Sequence, residues 1–266
     1  MNSAAPVCGA EKNPNLASFE RLYRRRLRMP LRLNFELQTK LAMFRRLARR
    51  IPLLRPGARV LDLGFGHGFM LFWFPRHCEL GGVDLTPTAV EHISRVAMRR
   101  GYLHSRFERL NLDREALPWD AASVDVLICS HLLEHVADDR RLLAEIRRVL
   151  KPGGHLILMV PIHETDQNAN PLHLRRYTED ALKELLSEFS LRVEKDERAD
   201  TLYQVFDWLS RPQLPRFLDT LRGKAIAVLG ALSVLLPPIW SLRCWGLPRD
   251  YGLLAIHDSA RQEKTL

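Results

Sequence analysis

The stretch Ala58-Arg-Val-Leu-Asp-Leu-Gly-Phe-Gly-His-Gly68 decides the fold. It is a short apolar strand that runs into a glycine-dense turn. Gly64, Gly66 and Gly68 have no Cβ, so the backbone there can turn sharply and approach a ligand closely. The next residues, Phe69 to Phe74, are apolar and aromatic and read as part of a first helix over 68–76. Strand, glycine-rich turn and helix are the parts with which an open α/β sheet holds a nucleotide-like ligand at its carboxyl edge. Plain tight turns also use this glycine spacing, so the rest of the chain has to support the reading.

Downstream, Glu79-Leu-Gly-Gly-Val-Asp84 is a second strand that ends in an acid. Asp84 falls about 20 residues after the turn, where an acid can accept hydrogen bonds from two ribose hydroxyls. The competing role is a cap on the next helix, which begins near Thr86-Pro87 and runs over 88–101. A weak third strand lies near 107–112, followed by Asp113. The turn Leu117-Pro-Trp-Asp120 leads into a fourth strand, Val124 to Cys129, with Ser130-His-Leu-Leu-Glu-His135 at its carboxyl end. Residues 137–150 have the spacing of an amphipathic helix. Lys151-Pro-Gly-Gly154 is a sharp stop, and 155–160 is a fifth strand. Thr178 caps a helix over 178–189. A sixth strand lies near 191–194, and Tyr251–His257 is a last strand that can pair beside it. Strands alternate with helices through short connections, so the sheet is mostly parallel with helices on both faces.

Upstream, residues 1–16 are polar and read as disordered, and Met1 to Asn15 lacks the pattern of a signal peptide. Residues 17–51 read as a basic helical cap. Phe19, Leu22, Tyr23 and Leu27, then Leu37, Leu41, Phe44 and Leu47, recur at helical spacing among many arginines. The net charge of +9 suits an anionic partner such as nucleic acid or an acidic lipid surface, or else reflects a solvated basic face. Nucleic acid ranks behind a small molecule, because aromatic residues are sparse among the arginines. Hydrophobic content of 46% indicates a globular chain. Cys8, Cys78, Cys129 and Cys244 are far apart, with no C-x-x-C, so neither a metal nor a redox motif is visible. Reduced thiols point to a cytoplasmic protein.

Residues 52–202 form the nucleotide-binding core, 249–258 its last strand and 259–266 a tail. Between them, 203–248 is an insertion that contains Ala225–Leu242, uncharged and mostly apolar, with cationic flanks. Pro237-Pro238 interrupts it. Three readings stay open: a buried lid, a peripheral membrane dock in one leaflet, and a span.

The set Val60–Gly68, Gly82-Val-Asp84, Asp113 with Leu117-Pro-Trp119, Val124-Asp-Val126, Leu133-Glu-His135 and Leu150-Lys-Pro-Gly-Gly154, in this order, resembles the class I S-adenosylmethionine-dependent methyltransferases. The likeness is greatest to the group that includes quinone-biosynthesis and small-molecule methyltransferases. The resemblance implies a Rossmann-like α/β fold with a seven-stranded, mostly parallel sheet, S-adenosyl-L-methionine as cofactor, and methyl transfer as the reaction. It implies that Gly64, Phe65, Gly66 and Gly68 form the loop against the methionine and ribose moieties, with Asp62 orienting that loop. Asp84 then binds the ribose hydroxyls, with Leu85 beside it. Asp113 faces the adenine amine, with Leu112 or Arg114 beside the ring. Ser130 and His131 lie near the methyl donor. Phe65 and His67 depart from the small or polar residues usual there.

Methyl transfer is an in-line displacement that depends on alignment, and some acceptors also need a base. His131 is the first candidate, with His135, His163 and His173 behind it, since histidine titrates in the useful range. The loop from His163 to Tyr177 is expected to line the acceptor pocket. Its spacing matches no metal motif, so no metal is expected. The apolar insertion points to a small, lipid-like acceptor. The alternatives are an RNA or protein methyltransferase and a catalytically silent cofactor-binding scaffold.

Overall fold

The computed structural model describes residues 16–27, 35–162, 172–199 and 250–258. Two helices come first, α1 (Leu16–Leu27) and α2 (Phe35–Ala48). The strands are β1 (Arg59–Leu63), β2 (Glu79–Asp84), β3 (Ser105–Arg109), β4 (Val124–Ser130), β5 (Leu150–Pro161), β6 (Leu191–Ala199) and β7 (Asp250–His257). Helices α3 (Pro87–Arg99), α4 (Asp139–Val149) and α5 (Glu179–Glu188) connect them. The described strands form one seven-stranded sheet in the order β3-β2-β1-β4-β5-β7-β6. The pairings out to β5 are parallel, and β7 runs antiparallel between β5 and β6.

The inner strands are near-continuous apolar runs because helices cover both faces. Side chains alternate along each strand. Leu61, Leu63 and Leu127 face α4 and α5, where Leu142, Leu143, Ile146, Leu182 and Leu186 meet them. Val60, Val126 and Ile128 point the other way, toward Leu41, Phe44 and Leu47 of α2 and Ile93 of α3. A Cβ on Gly252 would lie 3.1 Å from Met43 and Leu47, so the bare backbone of β7 lets α2 settle on the sheet.

The chain departs from the helix expected over 68–76. Only one 3-10 turn forms, Leu71–Trp73, and Phe74 is extended at φ −79° and ψ 150°. Pro75 follows it, and a residue before proline is pushed out of the helical region. The apolar run still enters the core, where the Phe74 ring packs edge-on against Phe44 at 6.3 Å. Helix α2, from the basic N-terminal region, joins the same core, packing on β5, β7 and β6.

Other boundaries move by a few residues. The third strand is Ser105–Arg109 rather than 107–112, and Leu110–Asp113 instead turns beneath the carboxyl edge. The stop at Lys151–Gly154 falls within β5, with Gly153 at φ +75° and a register shift opposite Val124–Val126. Thr178 does cap α5, its hydroxyl accepting the Ala181 N–H at 3.3 Å. Among the described residues, no helix is long and apolar enough to cross a membrane. The apolar run 225–242, the insertion around it and the two terminal segments lie outside the described residues.

Candidate active site

Strand order reverses between β1 and β4: the chain builds outward through β2 and β3, then returns to the other side of β1. Ligands of open α/β sheets sit at such a reversal, outside the carboxyl ends. There the Gly64 N–H donates to the Val83 carbonyl at 2.8 Å, which carries the loop onto β2. Gly64, Gly66 and Gly68 have φ of +63°, +49° and +64°, a region that residues with a Cβ enter at a cost. Leu132 also crowds Gly64 and Ile93 crowds Gly68, so neither position has room for a side chain without movement.

Asp84 organises this loop. Its Oδ2 accepts the Gly66 N–H at 2.9 Å. Its Oδ1 accepts both the Thr86 N–H at 2.9 Å and the Thr86 hydroxyl at 2.8 Å. Burial raises its pKa, these bonds offset part of that, and Glu20 adds to the rise. Asp62, at the buried end of β1, is held well above the usual carboxylate range by burial and by Asp84. Phe65 turns inward, edge-on to Phe107 at 5.6 Å, and supports the loop from below.

The remaining predicted cofactor residues surround the same edge. The Leu85 carbonyl accepts from Arg109 Nε at 3.2 Å, and the Leu112 carbonyl from Arg141 at 2.9 Å. Asp113 Oδ1 accepts the Ala137 N–H at 2.7 Å, which ties the turn after β3 to the turn after β4. Ser130 ends β4, half-buried, opposite Met159.

His131 follows at φ +52°, its N–H donating to the Met159 carbonyl at 2.8 Å. Its ring stands between two acids: Nδ1 is 3.5 Å from Glu134 Oε1, and Nε2 is 3.7 Å from Asp250 Oδ1. Glu134 is fully buried at 0% exposure. Among the described residues, neither of its carboxylate oxygens has a hydrogen-bond partner. Burial works to raise its pKa, but His131 and His135 outweigh that and leave it lowered. His135 itself is lowered, chiefly by burial, against the pull of Glu134. Its Nδ1 is 2.9 Å from the Leu172 carbonyl, and its ring meets the His173 ring edge-on at 4.8 Å. Ligating atoms of Glu134, His135 and His173 all lie within 4.8 Å of one another. The sequence shows no such motif because His173 arrives from a separate loop. His163 lies outside the described residues.

Helix α1 crosses above this edge. Glu20 accepts the Thr88 hydroxyl at 2.7 Å, beside the start of α3. One residue earlier, Phe19 packs edge-on against His135 at 5.5 Å. Arg175 joins from below, donating to the Val136 carbonyl at 2.6 Å and the Ala137 carbonyl at 2.7 Å. Sequence reading missed Glu20 and Asp250 as members of this edge, whereas Arg175 lies in the loop expected over it. Glu134 was visible inside the Leu133-Glu-His135 motif, but its burial was not.

Comparison with known proteins agrees with this geometry. The family described as "Methyltransferase domain" matches residues 61–158. The chain is 28% identical to an uncharacterized methyltransferase, YcgJ, of Bacillus subtilis, over 59% of this chain and 66% of that protein. It is 33% identical to the ubiquinone biosynthesis O-methyltransferase of Coxiella burnetii, over 38% of this chain and 42% of that protein. Both matches therefore span less than two thirds of the relative. A crystal structure of geranyl diphosphate C-methyltransferase from Streptomyces coelicolor, solved with Mg2+, a substrate analogue and S-adenosyl-L-homocysteine, superposes with a TM-score of 0.58 at 17% identity, covering 82% of this chain and 76% of that one. That likeness shows the fold. Glycine loop, strand-end acid, sheet order and family match converge: residues 61–158 are a methyltransferase domain of the class I S-adenosylmethionine-dependent kind, with S-adenosylmethionine as its cofactor.

Proposed function

We propose that the chain methylates a small, apolar, lipid-like acceptor held over the carboxyl edge of β1 and β4. The observation that carries the site is the Asp84 carboxylate locked onto the glycine loop. A carboxylate has about four acceptor positions. Gly66 and Thr86 occupy three of them, which leaves one for a ribose hydroxyl. Gly64, Gly66 and Gly68 admit the methionine end, and Asp62 supports them. Leu85 and Leu112 flank the adenine, with Asp113 at its amine. S-adenosylmethionine supplies an electrophilic methyl carbon on a sulfonium. Ser130 and His131 stand at that end, where the chain has to align the acceptor and exclude water.

The lipid-like acceptor is supported by the relative named for ubiquinone biosynthesis and by the apolar insertion with its cationic flanks. Peripheral contact of that insertion with a membrane belongs to the same reading.

The test has two parts. Calorimetry with S-adenosylhomocysteine should show one site that Asp84→Ala abolishes or weakens strongly. The full-length chain is then given labelled S-adenosylmethionine together with a lipid extract, soluble phenols and total RNA. Label that partitions into the lipid phase supports the proposal. Label in RNA or protein would replace the acceptor class and leave the cofactor site standing.

A further inference from the structure

We propose that Glu134, His135 and His173 bind a divalent transition-metal ion, with zinc as the representative. Two ligands on one such ion, at about 2.1 Å each, lie roughly 3 to 4 Å apart. The three donors here fall within 4.8 Å of one another, so less than about 2 Å of closure completes the site.

Three further observations favour an ion in this place. Glu134 is fully buried, and among the described residues neither of its carboxylate oxygens has a hydrogen-bond partner. A buried carboxylate without hydrogen bonds is costly, and a bound cation removes that cost. His135 places Nδ1 against the Leu172 carbonyl at 2.9 Å, so Nδ1–H donates there and the Nε2 lone pair remains for a ligand. Metal-bound histidines are fixed by this same backbone contact. Finally, the segment that carries His173 is pinned to the Glu134 turn by its backbone: the Leu174 N–H donates to the Glu134 carbonyl at 2.8 Å. Arg175 bonds the Val136 and Ala137 carbonyls just beyond. The donors are therefore held together by contacts that do not involve an ion.

The donor set selects the ion. Two imidazoles and one carboxylate suit zinc, iron, nickel or copper, whereas magnesium and calcium prefer oxygen ligands throughout. Three protein ligands also leave a coordination position open, unlike a closed structural site. His131 Nδ1, at 3.5 Å from Glu134 Oε1, becomes an outer partner of the ligating carboxylate. The inference does not depend on the acceptor or on turnover.

The competing account is that His131 and His135 alone balance the Glu134 charge. Full-length protein, dialysed against a chelator, separates the two when it is titrated with Co2+ and followed by its visible absorption. We expect one equivalent to bind, Zn2+ to displace it, and a tenfold molar excess of Mg2+ over Co2+ to leave it in place. Glu134→Gln and His173→Ala should each weaken Co2+ binding at least tenfold. His173→Ala changes a loop residue, so it remains informative if Glu134→Gln fails to fold. Absence of saturable binding overturns the site, as does unchanged binding in His173→Ala. A sulfur-to-cobalt charge-transfer band would put the ion on a cysteine and overturn it equally.

Discussion

The Gly66 N–H donates to Asp84 Oδ2 at 2.9 Å, so the glycine loop after β1 is fastened to the acid that ends β2. Asp84 is thereby a part of the loop's scaffold as well as the ribose-binding group of the proposed function. Asp84→Ala should remove the ribose contact and release Gly66 and Thr86 together. A hydrogen bond to a charged group is worth roughly 1.5–3 kcal/mol, so the affinity for S-adenosylhomocysteine should fall by about 10- to 100-fold. Asp84→Asn keeps one acceptor oxygen and should fall less. Calorimetry on both variants checks the order.

The same carboxylate gives cofactor binding a pH dependence of known sign. Burial raises the Asp84 pKa, and the Thr86 and Gly66 bonds offset only part of it. Asp62 is raised further, by burial and by Asp84. Each acid thus takes up its proton at a higher pH in the folded chain than in the unfolded one. Between those two values, stability of the cofactor-free chain falls as pH rises, because ionisation then costs the folded state more. Ribose hydroxyls need the ionised acceptor, so affinity should move the opposite way and decline on acidification above the ordinary aspartate range. Calorimetry with S-adenosylhomocysteine across mildly acidic pH should show that decline, and Asp84→Asn should flatten it.

Gly57 and Gly68 separate backbone strain from crowding. Both have positive φ, at +76° and +64°. A Cβ on Gly57 meets nothing within 4 Å, whereas one on Gly68 would lie 2.0 Å from Ile93 Cδ1. Gly57→Ala should therefore cost about 1–2 kcal/mol, the strain of a left-handed residue alone. Gly68→Ala adds an overpacking cost of about 1–3 kcal/mol. Urea denaturation of the two variants should show Gly68→Ala as the less stable by a clear margin. Ile93→Ala in the Gly68→Ala background should recover part of the crowding penalty.

The strands and their alternation with helices along the chain were legible because each inner strand is a short apolar run bounded by glycine, proline or acid. Gly64, Gly66, Gly68 and Asp84 were legible for the same reason: their spacing is set locally, by one strand–turn unit and the next strand end. The failure over 68–76 was also local, since Pro75 outweighs the apolar content of Phe69–Phe74. What could not be read was juxtaposition across long separations. Asp250 reaches His131 only because β7 inserts between β5 and β6, and no residue near 250 announces that. His173 reaches His135 through backbone bonds of Leu172 and Leu174, which carry no side-chain signature. Glu134 looked like an ordinary polar residue in a turn, and only the fold shows its carboxylate buried beside His131, with its backbone held by the 172–177 segment.

Helix α1 touches both ends of the site through adjacent residues, and this makes it separable from the rest of the fold. Glu20 holds Thr88 at the start of α3 through the hydroxyl at 2.7 Å and the N–H at 3.4 Å. Phe19 rests on His135 at 5.5 Å. The sheet core does not depend on either contact, because α2 and α3 cover that face. Glu20→Ala should leave the global urea midpoint within about 0.5 kcal/mol of wild type, as surface substitutions usually do. It should also remove the carboxylate that pushes Asp84 upward, which favours the ionised acceptor. Loss of the strap and gain of ionisation act in opposite directions on cofactor affinity, but only the strap slows release. Stopped-flow release of S-adenosylhomocysteine should therefore be several-fold faster in Glu20→Ala. Limited proteolysis should cut within 16–27 sooner than in wild type. Equal release rates and equal proteolysis would mean that α1 is packed there without closing the site.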